Sequence, residues 1–148
     1  MKKNMSWPRI LIAGALYAIV AWIVHTLGAI ASMKYYLMPE YFAVWSKIMM
    51  PAAGPPPLSF TLYSLTYSLI GGILFALVYN IVKDSVKKKS AVKTGLYYGL
   101  LVFAVAGIPS LFMLHLLINL PSMLIVAWGI ENIAIYLTAG MITAKINR

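Results

Sequence analysis

Hydrophobic residues in this chain fall into long unbroken runs, and short polar segments separate the runs. The runs cover residues 10–33, 58–82, 94–118 and 121–144, and the first three contain no Asp, Glu, Lys or Arg. Each run is longer than the ~20 residues with which a helix crosses the hydrocarbon core of a bilayer. The pattern therefore predicts an all-α fold, a four-transmembrane-helix bundle in a single integral membrane domain over residues 1–148.

The composition supports this prediction. Of the 148 residues, 62% are hydrophobic and 10% are charged, whereas a soluble domain normally carries about 25% charged residues. A water-soluble fold would have too little polar surface to cover four apolar helices. We therefore expect a multi-pass protein of the cell membrane. The chain contains no cysteine, which excludes disulfides, thiol catalysis and cysteine-ligated metal sites.

The basic residues predict the orientation of the spans. A net charge of +9 would suggest nucleic acid in a soluble protein, but only Lys34 and Lys47 lie between the first and second runs, or between the third and fourth. The positive-inside rule then places both termini in the cytoplasm, and no nucleic-acid partner is expected. Anionic lipid headgroups are the natural partners of the basic cluster between the second and third runs. This cluster consists of Lys83, Lys87, Lys88, Lys89 and Lys93.

The longest segment between two runs, residues 34–57, is called the long loop and is predicted to face outward. Pro39 can begin a short helix that continues to Met50 and places Phe42 and Trp45 on one side. Aromatic residues at this density are typical of a membrane interface, so we expect this interfacial helix to lie flat on the bilayer. The proline-rich stretch after it should be extended, because proline fixes φ and lacks a backbone donor.

Small residues recur at four-residue intervals in two of the runs. Ser64, Ser68 and Gly72 form one stripe, and Gly95 and Gly99 form the other. Helices in lipid gain nothing from hydrophobic burial against each other and approach closely where their side chains are small. We therefore expect both stripes to lie at helix contacts.

Proline residues mark the third run and its connection to the fourth. The sequence Gly107-Ile108-Pro109 predicts a kink, because proline removes one backbone hydrogen bond and clashes with the preceding turn. The turn Asn119-Leu120-Pro121 predicts a tight antiparallel hairpin. These motifs, with the segments at residues 95–101 and 136–140, resemble small four-span membrane proteins of unknown function. The resemblance implies no activity.

Glu131 is the one acidic residue within the four runs. A carboxylate in the hydrocarbon region is costly unless it is paired, hydrated or protonated, so such residues usually face the interior of the bundle. Helical rise places Glu131 ~15 Å along its helix, near the midplane. His25, Tyr67 and Ser68 lie at comparable depth on other runs. We predict an intramembrane polar cluster of these four residues, either a structural pin that fixes helix register or a site for protons or substrate.

The two histidines raise the possibility of a haem. Imidazoles on facing helices can supply both axial ligands of a b-type haem. Helical rise places His115 about 4–5 Å from the end of its helix and His25 roughly twice as deep, which disfavours a shared haem. Hydrolytic triads, metal-ligand spacings and phosphate-binding glycine loops are absent from the sequence. No catalytic residue, metal or cofactor is therefore predicted.

Three classes of function remain open. The first is a non-enzymatic membrane protein that acts by association, as a homo-oligomer or as a small subunit of a membrane complex, through its small-residue stripes and aromatic loop. The second is a small proton- or cation-coupled transporter or channel, because the buried carboxyl group of Glu131 can alternate between a proton and a cargo. The third is a b-haem or lipid-modifying membrane protein.

Overall fold

The computed structural model describes residues 6–52 and 54–147. The regular secondary structure of these residues is helical throughout, and four helical segments are long and apolar enough to cross a membrane, which confirms the all-α, four-helix prediction. In chain order the elements are α1 (Trp7–Ala31), α2 (Met33–Tyr36), a 3₁₀ helix (Pro39–Val44), α3 (Leu58–Val82), α4 (Ala91–Val102), a π-helical turn (Phe103–Gly107), α5 (Ile108–Leu117) and α6 (Ser122–Ile146).

Some helices begin before their apolar runs. α1 begins at Trp7, because Pro8 has a helical φ and its missing N–H costs nothing in the first turn. α4 begins at Ala91, where the side-chain oxygen of Ser90 accepts a hydrogen bond from the backbone N–H of Lys93 at 3.3 Å. Local capping chemistry therefore sets these helix ends, and hydrophobicity alone misses them.

The beginnings of α1 and α4 and the ends of α3 and α6 lie at one end of the bundle, called the basic end. Ile10, Ala76 and Ile146 from three spans pack together there. Asn80 of α3 donates through Nδ2 to Oδ1 of Asn147 at 3.0 Å, and both side chains are buried. The opposite end carries the long loop and is called the loop end.

α4 and α6 approach to backbone contact. A methyl group on Gly95 would collide with the carbonyl group of Gly140, and one on Gly99 would collide with the carbonyl oxygen of Tyr136. Both glycines of the predicted stripe therefore lie where a larger residue cannot fit. This close approach is the packing mode that small residues permit in lipid.

A second glycine contact joins α1 to α3. A Cβ atom added to Gly72 would lie 2.6 Å from the carbonyl oxygen of Gly14, so neither helix has room for a side chain at this point. The other two members of the predicted α3 stripe are not fully buried. Ser68 is partly buried, and Ser64 lines the cavity described below.

Aromatic side chains fill the bundle beside these glycine contacts. The rings of Phe75 and Tyr98 have centroids 4.7 Å apart, and those of Tyr79 and Tyr98 are 5.2 Å apart. The hydroxyl of Tyr98 donates to the backbone oxygen of Phe75 at 2.7 Å. Tyr17 and Tyr136 pack against the same cluster. The interior toward the basic end is therefore closed by rings.

Where the sequence predicts a kink, the third span contains the π-helical turn Phe103–Gly107. The backbone N–H of Ile108 donates to the oxygen of Phe103, five residues earlier, whereas an α-helix would use the fourth. The π-helical turn ends two residues before Pro109, which has no N–H with which to continue the helix.

The long loop differs from its prediction. Its helix is the 3₁₀ segment Pro39–Val44, and Trp45 after it is extended, with φ −72° and ψ 137°. Trp45 turns inward and is buried, whereas Phe42 is exposed, so the two residues do not share a face. The proline-rich stretch contains a bend at Gly54, whose φ of +148° favours glycine. Packing of Trp45 against the bundle overrides the helical spacing.

Candidate functional site

A cavity of about 640 Å³ lies at the loop end, between α1, the long loop, α3, α5 and α6. Its volume falls within the roughly 300–1,000 Å³ of small-molecule sites. Most of its wall is apolar or aromatic, and a few polar groups interrupt it. The ionisable and aromatic residues of the lining are His25, Tyr36, Trp45, Phe60, Trp128 and Glu131.

Glu131 and His25 form a pair in the wall of this cavity. Oε2 of Glu131 lies 2.8 Å from Nδ1 of His25, within hydrogen-bond distance. The side chain of Glu131 is 10% exposed and that of His25 is 46% exposed. The carboxyl group is therefore almost completely enclosed, and its partner is reachable from outside. The structure thus brings these two predicted site residues together.

Gly28 makes the room that Glu131 needs. A methyl group on Gly28 would overlap Oε1 and Cδ of the Glu131 side chain. The carboxyl group therefore rests against the backbone of α1 on one side and faces the cavity on the other. Gly28 follows His25 by three residues, a spacing that places both on one face of the helix. That spacing is the sequence signal that could have identified it.

An aromatic group forms the neighbouring wall. Trp128 precedes Glu131 by three residues on the same face of α6, and its Nε1 donates to the hydroxyl of Tyr36 at 2.8 Å. The ring of Trp45 packs against both, with centroids 5.1 Å from Tyr36 and 6.4 Å from Trp128. Sequence reasoning missed these residues as a group, because the loop that supplies Tyr36 and Trp45 has no regular periodicity.

One hydrogen bond and the packing of the rings hold the long loop at the cavity. Burial raises the pKa of Tyr36, so its hydroxyl stays protonated while it accepts the hydrogen bond from Trp128. The indole N–H of Trp45 is buried without a hydrogen-bond partner among the described residues. An unsatisfied buried donor costs about 1–3 kcal/mol. Ring packing therefore holds Trp45 in place at the expense of one polar contact.

Tyr67 and Ser68 do not join the predicted polar cluster. Tyr67 is 68% exposed on the outer surface of α3, where its ring stacks on Tyr63 with centroids 6.4 Å apart. Ser64, one turn before Ser68, is the α3 serine that lines the cavity. Depth gives the position of a residue along the helix axis but not the direction in which its side chain points. Depth alone therefore could not distinguish Ser64, which lines the cavity, from Tyr67 and Ser68. Of the four predicted members, His25 and Glu131 meet.

Asn132 and His115 are two further polar residues of the spans. Adjacent helical residues point about 100° apart, yet Asn132 lines the cavity together with Glu131. His115 is exposed on α5 and lies outside the cavity lining that contains His25. Within residues 6–52 and 54–147, no group of three or more His, Asp or Glu side chains could hold a metal ion.

The predicted headgroup-binding lysines divide into two sets at the basic end. Lys83 donates through Nζ to the backbone oxygen of Asn147 at 3.3 Å, which attaches the end of α3 to the end of α6. Nζ of Lys88 lies 3.9 Å from the ring centroid of Tyr97. Lys88 is nevertheless exposed, as are the remaining three lysines, Lys87, Lys89 and Lys93.

Comparison with known proteins adds no functional assignment. No family model, curated protein or solved structure matches this chain. The function proposed below therefore rests on the cavity and on the residues in its wall.

Proposed function

We propose that this protein is a small membrane carrier that binds its cargo in the loop-end cavity and exchanges the cargo for a proton at Glu131. One observation carries the proposal. The acidic residue of the spans faces a cavity with room for a small molecule, and a half-exposed histidine is its hydrogen-bonding partner. A residue that only fixed helix register would need neither the cavity nor a reachable partner.

The coupling follows from the cost of an unpaired charge in the hydrocarbon region. His25, Tyr36 and Glu131 are the titratable side chains among the described residues of the cavity wall. The carboxyl group of Glu131 can be neutralised by its own proton, by a protonated His25 or by a positive group on a cargo. When a cation arrives, one proton leaves and the net charge of the site stays the same.

Exchange across a membrane also requires a barrier and a moving part. The aromatic cluster around Tyr98 and the glycine contacts provide a barrier between the cavity and the basic end. The π-helical turn Phe103–Gly107 separates the tightly packed α4 from α5 and is the natural hinge of the third span. We assign the basic end to the cytoplasm, on the positive-inside rule, and its exposed lysines to anionic headgroups.

Access to Glu131 can be tested with a hydrophobic carbodiimide, which reacts with protonated carboxyl groups. In lipid nanodiscs, mass spectrometry should find one adduct, on the peptide that contains Glu131. Glu131→Gln should remove this adduct, and Glu40→Gln, which removes an exposed carboxyl group in the long loop, should leave it. A Glu131 that stays unmodified after prolonged treatment would mean a sealed carboxyl group and would contradict the proposal.

A second candidate function, association with a second copy or with other subunits, has one observation in its favour. The stacked pair Tyr63 and Tyr67 projects from the bundle, and nothing within the described residues lies within 4 Å of a Cβ atom added to nearby Gly71. Two tyrosine side chains and an open glycine on one helix would suit contact with another helix. The other glycine contacts are used within the chain and do not argue for a partner.

Native mass spectrometry separates this second candidate from a monomeric carrier. An assembly that is lost in Tyr67→Ala and retained in Leu69→Ala, a change at another exposed position of α3, would support association. If the parent protein and both variants are monomers under gentle extraction, the tyrosine pair is excluded as an interface.

A further inference from the structure

The chemistry of the cavity wall restricts the class of cargo. The wall combines the carboxyl group of Glu131 with four aromatic side chains, those of Tyr36, Trp45, Phe60 and Trp128. The faces of aromatic rings carry partial negative charge and attract organic cations, most strongly where water is excluded. The ionised carboxyl group and the faces of these rings therefore both favour a cation in the cavity.

No fixed positive charge opposes this field. Among the described lining residues of the cavity there is no Lys or Arg. The two lysines of the long loop are placed elsewhere, since Nζ of Lys34 lies 4.9 Å from the ring centroid of Tyr35 and Lys47 is exposed. His25 is the one group that competes with a cation for the carboxyl oxygens, and it lies at the accessible edge of the pair.

The remaining wall suits an apolar body of variable shape. Met33, Met49 and Met50 line the cavity beside Leu111 and Leu114. Thioether side chains are flexible and polarisable, so they fit ligands of irregular outline. A small inorganic cation would leave most of this apolar wall without contact.

We propose that the cargo is a lipophilic organic cation, an amine or quaternary onium group on an apolar body, with the positive group at Glu131 among the aromatic rings. This inference rests on the proposed function, because it assumes that the cavity is a binding site. An anion would be repelled by the carboxylate. A neutral molecule of the same shape would gain the apolar contacts but would not displace the proton.

The test uses two ions of matched shape and opposite charge, tetraphenylphosphonium and tetraphenylborate, with the whole protein in nanodiscs of uncharged lipid. Binding is measured by equilibrium dialysis, and empty nanodiscs provide the correction for partition into lipid. We expect the phosphonium ion to bind at least about tenfold more tightly, a difference of ~1.4 kcal/mol. Glu131→Gln should remove most of this preference, and Glu40→Gln should retain it.

A second variant tests the aromatic contribution without touching the carboxyl group. Phe60→Leu keeps an apolar side chain in the wall and should weaken phosphonium binding by roughly three- to tenfold, from the loss of one cation–π contact. The same change should alter borate binding less, because the anion gains nothing from the face of the ring. Equal weakening of both ions would count against the cation-selective wall.

The outcomes also separate this inference from the proposed function. Equal binding of both ions, unchanged in Glu131→Gln, would overturn the cation class and leave the cavity as a binding site. Binding of neither ion, with Glu131 still reactive toward carbodiimide, would overturn the cation class alone. Binding of neither ion, with an unreactive Glu131, would overturn both the inference and the proposed function.

Discussion

The two parts of the third span lie one π-helical turn apart and pack in opposite ways. α4 contributes four buried residues, two of them the glycines that contact α6, whereas α5, which is described throughout, contributes none. α1 and α3 show the same contrast, since their buried residues lie between Ile10 and Ala21 and between Gly72 and Asn80, toward the basic end. In lipid, helices approach where small residues permit it. Toward the loop end, beyond these contacts, a cavity lies between the helices.

The largest expected effect comes from filling a close contact at the basic end. Gly95→Ala places a methyl group on the backbone of Gly140 and should destabilise the protein by about 2 kcal/mol or more, since overpacking costs roughly 1–3 kcal/mol. Gly71→Ala is the matched control in open space and should be neutral or slightly stabilising. Thermal unfolding in detergent measures both. Similar midpoints for the two variants would mean that α4 and α6 are not in contact.

The buried polar contact at the basic end should rank next. Asn80→Leu removes the donor to Oδ1 of Asn147 and should cost roughly 1–2 kcal/mol. Asn132→Leu, which changes a residue in the cavity wall, should cost less than about 0.5 kcal/mol, because that side chain is partly exposed. Equal losses in denaturant unfolding would remove the distinction between the two ends of the bundle.

A smaller change should act on the site rather than on the fold. Gly28→Ala pushes a methyl group against the flexible end of Glu131, so the carboxyl group should move into the cavity and react faster with carbodiimide. The control is Gly129→Ala, whose methyl group would meet only a terminal carbon of Leu111, at 3.3 Å. Unfolding midpoints should stay close to the parent value in both. An unchanged carbodiimide rate in Gly28→Ala would show that Glu131 does not rest against α1.

The orientation of the two ends in the membrane can be tested with substitutions that should leave the stability of the protein unchanged. Lys88→Cys and Ala52→Cys each introduce a single thiol at an exposed position, because the natural chain has no cysteine. An impermeant maleimide applied to intact cells should label Ala52→Cys, and Lys88→Cys should react only after the membrane is opened. Labelling of both variants in intact cells would contradict the assignment of the basic end to the cytoplasm.

The spans could be predicted from the sequence because their length and apolarity are properties of single segments. The predicted second span, residues 58–82, has the same bounds as α3. Glu131 was identifiable because an acidic residue deep in an apolar run is costly, and its depth follows from counting residues along a helix. Tyr67 was predicted in the polar cluster but lies on the outer surface of α3, because the direction of its side chain depends on how α3 is rotated in the bundle.

The rest of the site could not be predicted because it depends on contacts between distant segments. Trp45 reaches α6 only because the long loop folds back over the bundle. Neither the periodicity of that loop nor its residue propensities predict this burial. The π-helical turn illustrates an intermediate case. Pro109 predicts an irregularity, but its form depends on how α4 and α5 pack separately.

The contrast between a closed basic end and an open loop end is tested most directly by thiol accessibility. Ser64→Cys and Thr143→Cys replace hydroxyl side chains of similar size, one in the cavity wall and one fully buried near the end of α6. We predict that a small membrane-permeant maleimide modifies Ser64→Cys readily and Thr143→Cys slowly, although Thr143 lies closer to a helix end. Modification of Thr143→Cys as fast as that of Ser64→Cys would contradict the account.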